Sequence, residues 1–236
     1  MINKTKTMMA SRAIKVPRKT HFWIVTPIPG RHTSKNGIAL LTVMRDYLKL
    51  GDKEREITRI ISSGKVRVDG KVVRERRFNL GFMDTLSIEG LEDVFRIIYD
   101  KKGRFVVAKV GQQDAQKKLV KIVGKKAEGK DTFRVSFHDG QNIISKDQSL
   151  KPGDVLLIKT PEKSIEGILK LQPGSKVFLT GGSHVGQTAT VKNVEVKESS
   201  HENMLSFEEG FGTVVDYAFP IGSQKFTFDL GEVISQ

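Results

Sequence analysis

The sequence predicts a multi-domain α+β protein: a small module of two helices and a few strands, then two small, mostly antiparallel β-barrel-like domains. Three observations carry this expectation. The chain has 236 residues, room for two or three domains at roughly 100–200 residues each. Helical periodicity of apolar residues is plainest in the stretch between Ile38 and Gly64. Beyond it, short apolar runs are separated by Gly- and Pro-containing turns, which is the pattern of antiparallel strands. An apolar content of 38% suffices for a core and excludes a wholly disordered basic chain.

Residues 1–37 read as a basic arm. The first 35 carry Lys4, Lys6, Arg12, Lys15, Arg18, Lys19, Arg31 and Lys35 and no acidic residue, so the arm repels itself and is expected to order only against an anion. Pro17, Pro27, Pro29 and Gly30 break any helix, giving an extended segment with a turn at Pro29-Gly30. Trp23, the single tryptophan, lies in the run Phe22-Trp23-Ile24-Val25. Two readings stay open for it: stacking on an unpaired base, or anchoring the arm on a neighbouring core.

Residues 38–90 form the predicted module. Ile38, Leu41, Met44 and Leu48 make one apolar stripe, Arg45 and Lys49 share another face, and Gly51 ends this helix. Asp52 reads as the N-cap of a second helix, with Glu54 and Glu56 in its first turn, Ile57, Ile60 and Ile61 facing inward, and Gly64 as the stop. Val66-Arg67-Val68 and Val72-Val73 flank Asp69-Gly70, a pair suited to a type I′ hairpin.

Residues 91–172 read as a central β domain. Phe95–Tyr99 and Phe105–Val107 flank one turn, Phe133–Phe137 and Asn142–Ile144 another, and Lys151-Pro152-Gly153-Asp154 introduces Val155–Ile158. Only Gln113–Val123 looks helical. Residues 173–236 form the last domain, with Leu179-Thr180-Gly181-Gly182 leading to His184-Val185-Gly186-Gln187 and a C-terminal hairpin. Its glycines permit the positive φ angles of a tight strand–loop–strand crossing. The Gly-Gly loop lacks the helix start and Lys-Ser/Thr of a nucleotide-binding loop.

Charge narrows the function. The net charge is +13, and residues 1–80 hold 19 Lys and Arg against 6 Asp and Glu, so the entire excess is theirs. Such a segment is an electrostatic footprint for a polyanion, nucleic acid first. An anionic membrane fits less well, because no basic amphipathic helix carries a broad apolar face. There is no cysteine, which excludes disulfides, thiolate metal sites and a cysteine nucleophile. Apolar runs do not exceed four residues, as in Phe22–Val25 and Val155–Ile158, far short of the roughly 20 of a membrane helix. A soluble protein of the cell interior is expected. The candidate RNA contacts are Arg12, Lys15, Arg18, Lys19, Arg31, His32 and Lys35 in the arm. In the module they are Arg45, Lys49, Lys53, Arg55, Arg59, Lys65, Arg67, Lys71, Arg74, Arg76 and Arg77. Any one of them taken singly is equally an ordinary solvated charge.

At this point the residues resemble known families. Val43-Met44-Arg45-Asp46-Tyr47-Leu48, Arg59-Ile60-Ile61 and Gly64 to Val73 resemble the small RNA-binding module shared by a primary-binding ribosomal protein, pseudouridine synthases and tyrosyl-tRNA synthetases. Where many such modules carry Gly-Asp, this chain reads Gly81-Phe82-Met83-Asp84. The Gly181–Gly186 region resembles the KOW motif of small SH3-like barrels, making Gly181, Gly182, His184 and Gly186 its candidate loop, with Ala189 where a second glycine is common. These pieces, together with Tyr99–Phe105, the Lys-rich Lys117–Lys121, His138-Asp139-Gly140 and Tyr217–Gly222, closely resemble the archaeal and eukaryotic small-subunit ribosomal protein family S4e, at archaeal-type length. The resemblance implies a non-enzymatic ribosomal constituent in the cytoplasm, bound to small-subunit ribosomal RNA and neighbouring ribosomal proteins. It implies no cofactor, metal or small-molecule substrate, no membrane and no homo-oligomer.

Catalysis finds little support in the residues themselves. His21, His32, His138, His184 and His201 stand singly without metal-ligand spacing, and His138-Asp139 before a glycine reads as a turn. His32 and His184 remain possible phosphate or base contacts, or plain loop residues. An RNA-modifying enzyme is a rival reading, but residues 91–236 offer no recognisable catalytic Asp in an Arg-containing loop. A KOW-type transcription or translation factor is another, and it would predict a charge-balanced N-terminal domain.

Overall fold

The arm is folded onto the protein. In the computed structural model, which describes residues 4–129, 132–197, 202–223 and 226–233, Lys4–Lys6 pairs antiparallel with Trp23–Val25. Ile14, Ile24 and Val25 are buried in one core with Leu40, Leu41, Met44, Tyr47, Ile57 and Ile61. The expectation that the arm needs an anion to order is therefore corrected. Its apolar side chains compensate the repulsion of its lysines, and Arg18 clamps the arm's own backbone by donating to the carbonyls of Ala10 (2.9 Å) and Ser11 (2.8 Å).

The first predicted helix is shorter than the apolar stripe suggests. Ile38 lies in a strand, Gly37–Ala39, paired with Asn79–Gly81. Helix follows only at Leu40–Thr42, continuing as a π-helical stretch, Val43–Tyr47, in which the Leu48 N–H reaches the Val43 carbonyl. Lys49, at φ 51, leaves the helix in a left-handed conformation. Arg45 and Lys49 therefore do not share a helical face. Gly37 permits the strand pairing: a Cβ there would meet the Asn79 side chain at 2.0 Å, and that amide donates to the carbonyls of Arg31 and His32.

The second helix, Glu54–Ser62, begins one residue later than expected, with Lys53 rather than Asp52 preceding it. Glu56 Oε2 reaches back to accept the N–H groups of Asp52 and Lys53 at 3.2 Å each, which satisfies orphan donors at the positive end of the helix. Ile57 and Ile61 are buried, and Gly64, at φ 80, closes the helix. Val66–Val68 and Lys71–Val72 then form the hairpin with Asp69 at φ 48 and Gly70 at φ 74, the two positive angles that a type I′ turn requires.

Two segments depart from the expected organisation. The hairpin Val94–Tyr99 and Phe105–Val110, expected in the central domain, extends the module's sheet, with Thr85 opposite Arg96. Phe95, Ile97, Phe105 and Val107 face the same core as the helices, so burial decides its allegiance. Glu232–Val233 returns to pair with Phe105–Val110 at the edge of that sheet. The stretch expected to be helical contains only the short turn Gln112–Ala115, followed by an 11-residue strand, Lys117–Ala127. That strand is central in a five-stranded sheet, flanked by Phe133–Phe137 and Val155–Lys159, and Leu119, Val120 and Ile122 on it are fully buried. A long, two-faced apolar strand outcompetes weak helix periodicity once it has neighbours on both edges.

The last region is a six-stranded sheet ordered Gly212–Val214, Met204–Phe207, Thr188–Glu195, Lys176–Leu179, Ala218–Ser223 and Phe226–Thr227. Ala189 lies within a strand opposite Val177, 3% exposed, so the absent second glycine falls outside the turn. His201 falls outside the described residues.

The three regions meet on the Gly81-Phe82-Met83-Asp84 turn. Phe82 stacks on Tyr99 (5.3 Å between centroids) and on Phe178 (5.4 Å), with its edge to Phe219 at 5.0 Å. Phe82 and Met83 thus share one core with Leu119, Val155, Phe178 and Phe219, drawn from all three regions. Beside this junction the ammonium of Lys118, 0% exposed, donates to three carboxylates: Asp69 at 2.9 Å, Asp84 at 2.6 Å and Asp139 at 3.0 Å. Arg31 also pairs with Asp69, with Asp84 at 3.2 Å and with Asp139 at 3.5 Å. Burial pulls the pKa of Lys118 down, but the three carboxylates overcome this and leave it above its ordinary value. Burial likewise works to raise Asp84 and Asp139, yet Lys118 and its neighbours hold Asp84 well below the carboxylate range and Asp139 at about 2.

Lys118→Met leaves three buried carboxylates short of a cation and should cost about 3–5 kcal/mol, read as a lower urea midpoint. His138 supplies a pH dependence. Its Nδ1 accepts the Lys121 N–H at 3.1 Å while Nε2 faces the Phe82 carbonyl at 3.2 Å, and burial pushes its pKa down to about 4. The unfolded chain takes up this proton first, near pH 6.5. Stability should therefore fall between about pH 6.5 and 4, by up to roughly 1.4 kcal/mol per unit, and His138→Gln should make that fall shallower in urea titrations. Asp84 and Asp139, being depressed, keep contributing through this window and lose their contribution only below about pH 4.

Candidate nucleic-acid interface

The eighteen basic and histidine positions expected to meet RNA separate into two groups. Arg12, Lys15, Lys19 and Lys35 of the arm, and Lys49, Lys53, Arg55, Arg59, Lys65, Arg67, Lys71 and Arg74 of the module, are exposed. The others are engaged by the protein. Arg31 belongs to the ion cluster, and the His32 ring, buried at 8% exposure, sets Nε2 2.9 Å from Asp84. These two are withdrawn as RNA contacts, because turning either outward removes one of the donors that satisfy buried carboxylates. Arg77 Nε donates to the Thr26 carbonyl at 2.9 Å, and Arg18 clamps the arm. Arg45 grips Asp46 through Nε and a terminal nitrogen, both at 2.9 Å, a bidentate pair that raises the guanidinium pKa. Arg76 pairs with Glu54.

The helix Glu54–Ser62 organises the best-formed part of this surface. Its i, i+4 spacing puts Arg55 and Arg59 one above the other, and both line a depression of about 500 Å³ with Lys4, Glu54, Thr58, Ser62 and Arg76. Glu54 is committed to Arg76 and, at 3.4 Å, to Lys4. Arg55 and Arg59 make no ion pair among the described residues and are exposed, so their guanidinium forks are available to an anion. The apolar side of the same helix, Ile57 and Ile61, fixes it on the core. Charge and position therefore come from a single 3.6-residue period.

The KOW-like loop is used in packing. A Cβ on Gly181 would meet the Tyr217 ring at 2.5 Å, and one on Gly186, at φ +76, would meet the Asp100 carbonyl at 2.5 Å. Gly182 also has positive φ, at +82, and the His184 ring stacks on Phe211 at 4.0 Å. Gly186 therefore brings the last region against the module's Val94–Val110 hairpin. The His138–Gln141 segment is the expected turn, with Gly140 at φ 77, but both leading side chains also do structural work, His138 under Phe82 and Asp139 on Lys118. The Lys-rich strand behaves likewise: the Lys121 ammonium, buried, donates to the carbonyls of Val215 (2.9 Å), Asp216 (2.8 Å) and Ala218 (2.9 Å). Burial lowers its pKa to about 8. Sequence reading missed Lys118, Asp84 and Asp139 as partners. The available signal was a charge set within an apolar strand-like run, as at Lys118-Leu119-Val120.

Among the described residues, no three His, Asp or Glu side chains form a group able to hold a metal ion, and no helix is long and apolar enough to cross a membrane. Comparison with known proteins agrees with the architecture. Residues 91–165 match the family described as Ribosomal family S4e, and residues 41–86 match the S4 domain. The small ribosomal subunit protein eS4 of Thermoplasma volcanium is 47% identical over 99% of both chains, and that of Picrophilus torridus is 48% identical over 100% of both. The crystal structure of the 30S ribosomal protein S4e from Thermoplasma acidophilum superimposes with a TM-score of 0.74 at 44% identity, covering 82% of this chain and 99% of that one. With a module that presents Arg55 and Arg59, a buried Gly-Phe-Met-Asp junction and full-length relatives at nearly half identity, the chain belongs to the S4e family of ribosomal proteins.

Proposed function

We propose that this chain is a structural, non-enzymatic component of the small ribosomal subunit that grips ribosomal RNA through the exposed cations of residues 1–80. The observation that carries this reading is the separation of charge. The net +13 lies in the arm and module, most of their cations are exposed, and Arg55 and Arg59 stand together on the outer side of the helix Glu54–Ser62. The remaining residues, at zero net charge, suit contacts with protein neighbours and the positioning of the module. RNA helices offer phosphates and a shallow minor groove rather than a readable major groove, so shape and phosphate spacing select the site. The S4 domain match over residues 41–86 supports the module as the gripping part.

An RNA-modifying role draws no support from the described residues, since the His138-Asp139 pair that most resembles a catalytic base is consumed by packing and by Lys118. The proposed contacts are Arg12, Lys15, Lys19, Lys35, Lys49, Lys53, Arg55, Arg59, Lys65, Arg67, Lys71 and Arg74.

Engagement of about six to ten phosphates should make log affinity for small-subunit ribosomal RNA fall with log salt at a slope of roughly −4 to −9; a slope near zero in filter binding rejects the electrostatic grip. Reversing Arg55 and Arg59 together to Glu should weaken binding by at least about tenfold and reduce the slope by about 2. The thermal midpoint should stay nearly unchanged, because exposed charges contribute little to folding. Equal loss of fold and binding would make the two arginines structural.

A further inference from the structure

Ile14, Ile24 and Val25 of the arm turn inward, whereas Met8, Met9 and the two aromatic rings Phe22 and Trp23 are exposed. Phe22 is 64% and Trp23 51% exposed, whereas the next two residues, Ile24 and Val25, are each 6% exposed. Of the two readings open for Trp23, its exposure favours presentation to a partner, while Ile24 and Val25 hold the arm on the core. The two rings meet edge to face at 4.9 Å, and the Lys6 ammonium lies 5.5 Å from the Phe22 centroid. The backbone beneath them is pinned. Trp23 pairs with Lys6 across the ribbon, and the Thr7 N–H donates to the Phe22 carbonyl at 2.9 Å. The rings are thus presented outward on a fixed support, which lowers the ordering cost of a partner that stacks on them.

The surroundings select the partner. Lys4, Lys6, Lys19 and His21 lie on the same ribbon or beside it in a segment with no carboxylate through residue 35. The acidic residue nearest the Trp23 crevice, Asp46, is already neutralised by Arg45. Lys4 is held by Glu54 at 3.4 Å, whereas Lys6 and Lys19 make no ion pair among the described residues, and an aromatic surface beside such cations complements a flat π-face that carries its own negative charge. That is a nucleotide whose base is unpaired and whose phosphate can meet the Lys6 ammonium beside Phe22. A paired helix buries its base faces in the stack and cannot use such a platform.

We propose that Phe22 and Trp23 form a stacking platform for an unpaired nucleotide of RNA, with Lys6 and Lys19 meeting its phosphates. The proposal rests on the reading of this chain as an RNA-binding protein and adds single-stranded recognition to it. Trp23 is the only tryptophan, so its fluorescence reports the platform directly. Full-length protein is titrated at low salt with 12-nucleotide oligoadenylate and with a blunt 12-base-pair RNA duplex, binding being followed by anisotropy of labelled RNA. Oligoadenylate should quench Trp23 emission at saturation, and the duplex should bind with little quenching. Combined Phe22→Ala and Trp23→Ala should lower oligoadenylate affinity by about 5- to 150-fold, the span of base–aromatic stacking. Duplex affinity and the salt slope should be unchanged, and Trp23→Phe should retain most of the affinity. If oligoadenylate binds without quenching and the double alanine variant binds it equally well, the platform proposal falls while RNA binding stands, and the rings are assigned to a protein neighbour. If neither RNA binds at low salt, both readings fall together. If the double variant unfolds, the quenching and the Trp23→Phe affinity still decide between these outcomes.

Discussion

Everything else in the molecule depends on how one ammonium group is satisfied. Lys118 has three N–H donors and, in its buried position, three carboxylates to receive them. Each comes from a different turn: Asp69 from the type I′ hairpin, Asp84 from the Gly-Phe-Met-Asp turn and Asp139 from the turn after Phe133–Phe137. Arg31 of the arm closes the set. Removing such charges from water is costly, and only complete pairing recovers the cost. The arm, the module and the central sheet must therefore dock together or leave a charge unpaired, which makes their association all-or-none. Further hydrogen bonds complete the carboxylates, from the Thr85 and Gly81 N–H groups and from the Gln141 N–H and side-chain amide.

The same principle extends the docking to the last region with different chemistry. Lys121, three residues along the strand, makes no ion pair among the described residues and satisfies its ammonium with three backbone carbonyls around Asp216. Phe82 supplies the apolar counterpart, sandwiched between Tyr99 and Phe178. A multi-region chain is thereby locked into one body, so that the cations of the module are held in fixed relation to the barrel surfaces. For a component of a large assembly, rigidity means that shape as well as charge can select a site.

The basic residues divide according to burial, and composition does not reveal that division. Arg18, Arg31, Arg45, Arg76 and Arg77 each find an acceptor within the protein, while Arg55 and Arg59, of the same chemistry, face solvent. The arm illustrates why. Considered alone it is a self-repelling polycation, but Ile14, Ile24 and Val25 contribute enough burial to fold it onto the helices, and folding then draws Arg18 and Arg31 into internal bonds. The lysines without such neighbours remain for a partner.

Much of the local structure was legible because it is decided by neighbours in sequence. Asp69-Gly70 turns where both residues tolerate positive φ, Glu54 and Glu56 mark the first turn of their helix, Gly64 stops it, and the turn at His138–Gln141 separates the strands read at Phe133–Phe137 and Asn142–Ile144. The S4e family resemblance and the location of the net charge were likewise present in the amino acids alone. What tertiary structure decided is which side of the surface a charge occupies and which sheet a strand joins. Lys117–Ala127 became a central strand because two neighbours offered it backbone partners, and Val94–Val110 joined the module because its apolar face fits the helices. Arg31, His32 and Lys118 went inside because carboxylates distant in sequence converge on them. These outcomes depend on long-range pairing and desolvation, and no window of adjacent residues encodes either.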